Sequence, residues 1–425
     1  MAKRFLRLPS RESIIVLAGY GTAGVTLLLT LKAMTLLLPT EQYGLFALGL
    51  SAQIIFVQLI FGPLGASVLR LAPDALERSD LRACVAAATG WTKKAAVVCI
   101  LATLLGALVL AWLNPEQIGF QLAASISAIC YGVTQVNESV LSGTRHRERA
   151  AISSSLGQFL RSGGAILAGF QFHSAHAAMT GYLGGSIVAL LLAHRLTHSL
   201  VRKLDTHPAP AEPAAVARDS RFIWEYGQPF LIWAAPTALY MASDRWILQV
   251  LSGPADVAVY SAAQQLTQLP VNFLFQLLQL IWAPILFGEQ ALAERTGATR
   301  SGMLQKLGLV LLAGSVAGTL ILFWTGEWLI LLFATPAYLR SAPFLPLIFF
   351  GSCLFQLGQW YALDQLRQKR SDLLIWPKLA TAVLGIASYA LGTYWAGLKG
   401  LALASVASSA FYVISVLWTR RALAR

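Results

Sequence analysis

The sequence predicts an all-α, polytopic membrane protein with about twelve transmembrane helices, arranged as two six-helix lobes around a central cleft. Of the 425 residues, 56% are hydrophobic and only 12% are charged, whereas a soluble domain carries roughly 25% charged residues. Apolar stretches of about 20 residues recur along the whole chain, which is typical of transmembrane helices. Because lipid offers no partner to free backbone groups, and the runs do not alternate as barrel strands do, these stretches are expected to be helical.

Six spans are expected in each half of the chain. They cover residues 13–37, 43–69, 95–113, 119–142, 150–171 and 176–198 in the first half, and 224–251, 258–286, 304–324, 342–364, 373–396 and 399–419 in the second. The predicted domains are an N-terminal lobe (1–204), a cytoplasmic linker (205–221) and a C-terminal lobe (222–425). Asp205–Ser220 is rich in proline, alanine and charge, which indicates a mobile loop.

The distribution of basic residues supports the same topology. If the N-terminus is cytoplasmic, the cytoplasmic segments and their flanks hold 27 of the 32 lysines and arginines. This asymmetry follows the positive-inside rule. It accounts for the net charge of +13 without a nucleic-acid partner, and it places both termini in the cytoplasm.

No cofactor or metal is expected. The four cysteines, Cys84, Cys99, Cys130 and Cys353, lack metal-type spacing and are interpreted as reduced core residues. His194 and His198 are four residues apart, but an interfacial pair explains them better than a metal site. The sequence has no phosphate-binding GxxxxGK[ST] motif, so the chain is not expected to hydrolyse ATP.

An internal repeat relates the two halves. The segments LLPTEQYGLFALGLSAQ, from Leu37, and LSGPADVAVYSAAQQL, from Leu251, each end one helix, turn at a proline and start another helix with an acid nearby. The corresponding pairs are Pro39 with Pro254, Glu41 with Asp256 and, after one gap, Phe46 with Tyr260. Two halves that both begin on the cytoplasmic side form parallel repeats, which many transporters use to build a central substrate site.

These motifs resemble a known family. The stretch from Asp244 through Tyr260 to Gln264, EQYGLFALGLSA in the first half, and GLKGLALASV before the last helix are similar to the polysaccharide transporter branch of the multidrug and oligosaccharidyl-lipid flippase superfamily. The resemblance covers the whole chain. It implies a flippase for undecaprenyl-pyrophosphate-linked oligosaccharides in the bacterial inner membrane, serving O-antigen or exopolysaccharide assembly.

Three basic residues within the spans are candidate substrate contacts, because a charge near the bilayer centre is costly and usually faces a cavity or a partner. Arg161 lies near the middle of span 150–171, and the alternative is a buried structural contact with Glu138 or a carbonyl. Lys32 and Arg245 lie seven and nine residues before Pro39 and Pro254. Both would therefore sit roughly 10 Å below an outer helix end. They suit a pyrophosphate, and the alternative is that both snorkel outward.

Other polar residues are candidates for coupling or for sugar binding. Asp244 and Glu138 are coupling candidates. Asp244 does not face its neighbour Arg245 on a helix, so a pair with Lys32, a bound proton or sodium ion, and a structural interhelical bond all stay open. A predicted amide wall on one helix face consists of Gln265, Gln268, Asn272, Gln276 and Gln279. The alternative for these amides is contact between helices.

The sequence thus predicts a non-enzymatic flippase that works by alternating access. Its expected partners are the lipid-linked oligosaccharide, membrane lipids and other polysaccharide-assembly proteins, and it is expected to be a monomer. One alternative is a cation-coupled drug exporter of the same superfamily. Another is a membrane-embedded O-antigen polymerase or glycosyltransferase, which the short outer loops and the lack of paired carboxylates disfavour.

Overall fold

The structure is a computed structural model, and it describes residues 11–204, 211–287, 297–367 and 370–423. These residues form no β-strand. Their α-helices are α1 (Arg11–Leu37), α2 (Thr40–Phe56), α3 (Gly62–Glu77), α4 (Leu81–Leu113), α5 (Ile118–Gly143), α6 (Arg147–Phe172), α7 (Ala175–Leu204), α8 (Pro213–Ser252), α9 (Pro254–Phe287), α10 (Gly297–Phe333), α11 (Leu345–Arg367) and α12 (Ile375–Leu423). The all-α prediction is confirmed.

Each predicted span has a helical counterpart. α2 and α3 are joined by a π-helical turn, Val57–Phe61, and together cover one span. α12 covers two, because Ala396 and Gly397 leave the helical conformation within it. Gly397 has φ +55° and ψ −134°, a combination that is essentially restricted to glycine. By length and apolar composition alone, seven helical stretches in the described part of the chain could cross a membrane.

Two compact units make up the chain. Unit 1 consists of Met1–Thr30 with Gly49–Ala235, and unit 2 of Leu31–Leu48 with Pro236–Arg425. In unit 1 the buried core includes Phe61, Val68 and Ile129, and in unit 2 it includes Trp360 and Tyr412. The predicted lobe boundaries at residues 204 and 222 stay a prediction.

The four cysteines are buried and free, as the sequence indicated. The predicted repeat turns also form: α2 begins directly after Pro39, α9 begins at Pro254, and each helix has an acid in its first turn, Glu41 and Asp256. Both acids are favourable there, because a negative charge near the N-terminus of a helix interacts with the positive end of the helix dipole.

The expectation of a mobile loop over Asp205–Ser220 is wrong for its second part, because α8 begins at Pro213. Proline is favourable in the first helical turn, and the alanines that follow are good helix formers. Ion pairs hold this turn within unit 1: Arg218 contacts Asp80 at 2.8 Å and Asp219 at 3.0 Å, while Arg78 contacts Asp219 at 3.3 Å. Hydrogen bonds to Asp219 and then Asp80 raise the pKa of Arg218.

Candidate functional site

The acid and base of α8 take part in one buried network inside unit 2. Asp244 is 4% exposed, and its carboxylate accepts hydrogen bonds from the Tyr260 hydroxyl at 2.9 Å and from the Gln264 amide at 2.8 Å. It also accepts the backbone N–H of Arg245 at 2.7 Å. Tyr260 and Gln264 lie one turn apart on α9, so both reach the same carboxylate.

Gln264 connects the acid to the base. Its oxygen accepts a hydrogen bond from Arg245 Nη2 at 2.6 Å, while its nitrogen donates to Asp244. As expected for helix neighbours, Asp244 and Arg245 form no direct side-chain ion pair in the described structure. Asp244 thus forms a hydrogen-bonded contact between α8 and α9, and its role in binding a proton or a sodium ion for coupling stays a prediction.

Lys32 does not form the ion pair with Asp244 that was one of the alternatives. Its ammonium donates to the carbonyls of Leu331 at 2.9 Å and Ala334 at 2.7 Å, all three residues being in unit 2. These carbonyls lie at the end of α10, where the last helical carbonyls lack intrahelical partners and a cation is favourable. Lys32 therefore caps α10, and a role in binding substrate stays a prediction.

A second set of hydroxyls lies on α8 and α12. Tyr240 and Ser408 share a hydrogen bond of 2.8 Å, and Tyr389 donates to the Tyr240 hydroxyl at 2.9 Å. The rings of Tyr240 and Tyr389 stack at 5.4 Å. Each of these side chains is buried, so the polar interior of unit 2 extends from α9 to α12.

Arg161 is the most deeply buried cation of the predicted site, at 2% exposure in unit 1. Its guanidinium lies 4.6 Å from the centre of the Tyr131 ring and donates from Nη2 to Gln158 at 3.3 Å. Nε and Nη1 have no hydrogen-bond partner among the described residues. The expected alternative partner, Glu138, accepts instead from Ser153 at 3.0 Å. Arg161 thus has two unused donors in a buried interior, where its charge interacts electrostatically with Glu138 but forms no ion pair with it.

The predicted amide wall on α9 runs from the interior to the surface. Gln265, Gln268 and Asn272 are half-buried and Gln276 is exposed, while the side chain of Gln279 lies outside the described residues. Asn272 accepts a hydrogen bond from Gln356 of α11 at 2.7 Å. At this one position the alternative, amide contact between helices, is what the structure shows. The wall itself stays a prediction.

Sequence reasoning missed several residues of these networks. They are Tyr131 and Gln158 around Arg161, Tyr240, Tyr389 and Ser408 on α8 and α12, and Gln356 opposite Asn272. The four-residue spacing of Tyr260 and Gln264 was a usable signal for one acid contact. Tyrosine and serine within an apolar span carry no such signal, because membrane helices contain many that have no special partner.

The described fold is also found in solved structures of membrane transporters. An inward-facing multidrug resistance MATE family transporter of the MOP superfamily aligns with a TM-score of 0.69 and 13% identity, over 96% of this chain and 94% of that chain. The lipid II flippase MurJ, in an inward closed conformation, aligns with a TM-score of 0.68 and 12% identity, over 96% and 87%. A MATE transporter from Vibrio cholerae gives 0.67 and 13%, over 97% and 96%. These likenesses show that the chain shares the fold of these three transporters.

The family follows from the sequence itself. A family model described as polysaccharide biosynthesis protein matches residues 11–288, more than half of the chain. The chain therefore belongs to the polysaccharide biosynthesis protein family, and the resemblance noted in its motifs is confirmed. A comparison with the sequences of curated proteins gave no match.

Proposed function

We propose that this protein is a flippase that moves polyprenyl-pyrophosphate-linked oligosaccharide, an O-antigen or exopolysaccharide repeat unit, across the bacterial inner membrane by alternating access. It performs no covalent chemistry. The barrier it lowers is the desolvation of the charged and hydroxylated head group, since the polyprenyl tail stays in lipid. Both termini are cytoplasmic in this proposal, and the chain works as a monomer with other polysaccharide-assembly proteins.

The observation that carries the proposal is Arg161, a 2% exposed guanidinium whose Nε and Nη1 have no partner among the described residues. A buried arginine with free donors binds phosphate oxygens strongly, because charge-assisted and bidentate hydrogen bonds are the strong ones. In an exporter of cationic drugs, such a group would not favour substrate binding, because its positive charge repels a cation. The half-buried amides Gln265 and Gln268 supply donors and acceptors that suit sugar hydroxyls without requiring a particular sugar.

Complementation tests the function. The gene is expressed in a bacterium that lacks its O-antigen flippase, and surface O-antigen is measured along with resistance to cationic dyes. Restored surface glycan with unchanged dye resistance supports the flippase. Dye resistance without glycan export would favour the drug exporter, and glycan polymerisation by the purified protein would favour the polymerase.

The variant Arg161→Gln tests whether the buried guanidinium of Arg161 binds phosphate. It removes the charge and keeps polar hydrogen-bonding groups, so glycan export should fall at least about ten-fold if the guanidinium binds phosphate, since a hydrogen bond to a charged group contributes about 1.5–3 kcal/mol. Arg195→Gln is the matched control, because Arg195 is exposed on α7 of the same unit. Wild-type export by Arg161→Gln at equal membrane abundance would refute the role of Arg161.

A further inference from the structure

A small cavity lies inside unit 2, among α8, α11 and α12. Its lining includes Tyr240, Phe355, Gln359, Lys378, Thr381 and Tyr412. Its empty volume is about 230 Å³, open mouth included, and its centre admits a group about the size of a water molecule. The described residues that line it include one lysine and no carboxylate, so the cavity has a positive character.

The aromatic walls of this cavity are held rigidly. A Cβ atom at Gly385 would come within 2.4 Å of the Tyr240 ring, and one at Gly358 within 2.4 Å of the Tyr412 ring. Each ring therefore fits against a glycine. Phe355 lies between them, with its ring centre 6.0 Å from that of Tyr240 and 5.2 Å from that of Tyr412. Side chains fixed in this way form a preorganised site.

Thr381 supplies an unused hydroxyl on the wall. It is 3% exposed, and its Oγ1 has no hydrogen-bond partner among the described residues. Buried threonines on α4 and α9 donate to the carbonyl four residues earlier, as Thr92 does to Ala88 at 2.7 Å and Thr267 to Ala263 at 2.9 Å, whereas Thr393 of α12, like Thr381, has no partner among the described residues. A buried hydroxyl without a partner is costly, which indicates that something polar binds there.

Lys378 lies three residues before Thr381, so the two side chains project from the same side of α12. The lysine is half-buried and belongs to the first turn of the helix. It lies a few residues inside the predicted cytoplasmic end of span 373–396, roughly 7 Å along the helix from that end, so it is on the head-group side of the bilayer centre. An ammonium and a hydroxyl both donate hydrogen bonds to an oxyanion, and the charge of the ammonium repels a cation.

We propose that Lys378 and Thr381 form an oxyanion subsite that takes one phosphate oxygen of the pyrophosphate on the carrier lipid. This subsite rests on the proposed function and adds a second phosphate contact, in unit 2, on residues that the sequence analysis did not assign to the site. The cavity fits a single oxygen and is too small for a sugar ring. A phospholipid head group offers the same phosphate chemistry, and the experiment distinguishes the two sources.

Binding of farnesyl pyrophosphate to the full chain in phosphatidylcholine nanodiscs tests the subsite. The bound probe is competed with inorganic pyrophosphate, with farnesol, and with phosphatidylglycerol built into the disc. The variants are Lys378→Met, Lys378→Arg and Thr381→Val. Lys399→Met is the matched control, because Lys399 is an exposed lysine on the same helix. Thermal unfolding of each variant establishes that it is folded.

We expect Lys378→Met to weaken probe binding at least about ten-fold and Thr381→Val several-fold, in line with loss of a charged and a neutral hydrogen bond. Lys378→Arg should keep most of the affinity, Lys399→Met all of it, and pyrophosphate should compete where farnesol does not. Wild-type binding by folded Lys378→Met and Thr381→Val would overturn the proposal; if Lys378→Met does not fold, wild-type binding by Thr381→Val would overturn it alone. So would displacement of the probe by a few phosphatidylglycerol molecules per disc, which would assign the cavity to a resident lipid.

The probe-binding experiment and the complementation test can fail independently of each other. A protein that binds the probe through Lys378 but restores no glycan export keeps the oxyanion subsite and loses the proposed cargo. A protein that restores export with unchanged probe binding in Lys378→Met keeps the cargo and loses the subsite.

Discussion

The hydroxyl of Tyr260 donates to the carboxylate of Asp244 across 2.9 Å, in a part of unit 2 where both residues are less than 5% exposed. The same carboxylate accepts from Gln264, which also accepts from Arg245. α8 and α9 are thus joined through one acid, one base, one amide and one phenol. In a low-dielectric interior such a network is stable only when its members stay satisfied.

Replacing Gln264 with leucine should destabilise the protein more than replacing Tyr260 with phenylalanine. Tyr260→Phe removes one hydrogen bond to a charged group and should cost about 1.5–3 kcal/mol. Gln264→Leu deprives both Asp244 and Arg245 of a partner, so its cost should be larger. Thermal unfolding in detergent measures both, and Tyr394→Phe, a change at a 74% exposed tyrosine, is the control. Equal unfolding temperatures for Gln264→Leu and wild type would contradict the network.

Replacing Lys32 with methionine should lower stability, because the carbonyls of Leu331 and Ala334 lose their donor. Each lost hydrogen bond should cost about 1 kcal/mol, and Lys32→Arg should recover part of the loss. The measurement is thermal unfolding alongside glycan export. If Lys32→Met reduces export at an unchanged unfolding temperature, Lys32 binds substrate and does not serve chiefly as the cap of α10.

Substitution by methionine should affect stability differently at Arg161 and at Arg420. Arg161 forms no ion pair with another described residue, whereas Arg420 forms one with Asp364 at 2.8 Å, the side chains of Arg420 and Asp364 being 9% and 4% exposed. Arg161→Met should therefore leave stability unchanged or raise it. Arg420→Met should lower stability by about 3–5 kcal/mol, because it breaks a buried ion pair by removing one of its two members.

Thermal unfolding of Arg161→Met and Arg420→Met under identical conditions measures the change in stability of each variant. A large loss of stability in Arg161→Met would show that this guanidinium is a structural element of unit 1, and it would remove the main support for its role as a phosphate ligand.

Replacing Gly397 with alanine should destabilise the turn within α12. The backbone at Gly397 has φ +55° and ψ −134°, and an alanine there should cost on the order of 1–3 kcal/mol. Gly314→Ala is a suitable control, because Gly314 lies in helix α10 with open space around its Cβ position and alanine favours a helix there. The two unfolding temperatures should shift in opposite directions, and a stable Gly397→Ala protein would contradict the turn.

Helix content and span positions could be predicted from the sequence, because both depend on local properties. An apolar run of about 20 residues has to be helical in lipid wherever it lies in the fold. The proline turns at Pro39 and Pro254 and their following acids were predictable for the same reason, since each is a contact within a few residues. The loop expected over 205–220 was wrong from Pro213 onward, where α8 begins. The prediction gave too much weight to the proline and charge content and too little to the local preference for a helix.

The sequence by itself determined that the chain is an all-helical membrane protein of this family, and which polar residues lie within its spans. Only the tertiary structure decided what those residues contact: that Lys32 caps α10, that Gln264 connects Asp244 to Arg245, and that Arg161 lies against Tyr131. The physical reason is distance along the chain. Lys32 and Ala334 are 302 residues apart, and no local periodicity relates two positions that meet only when separate helices pack together.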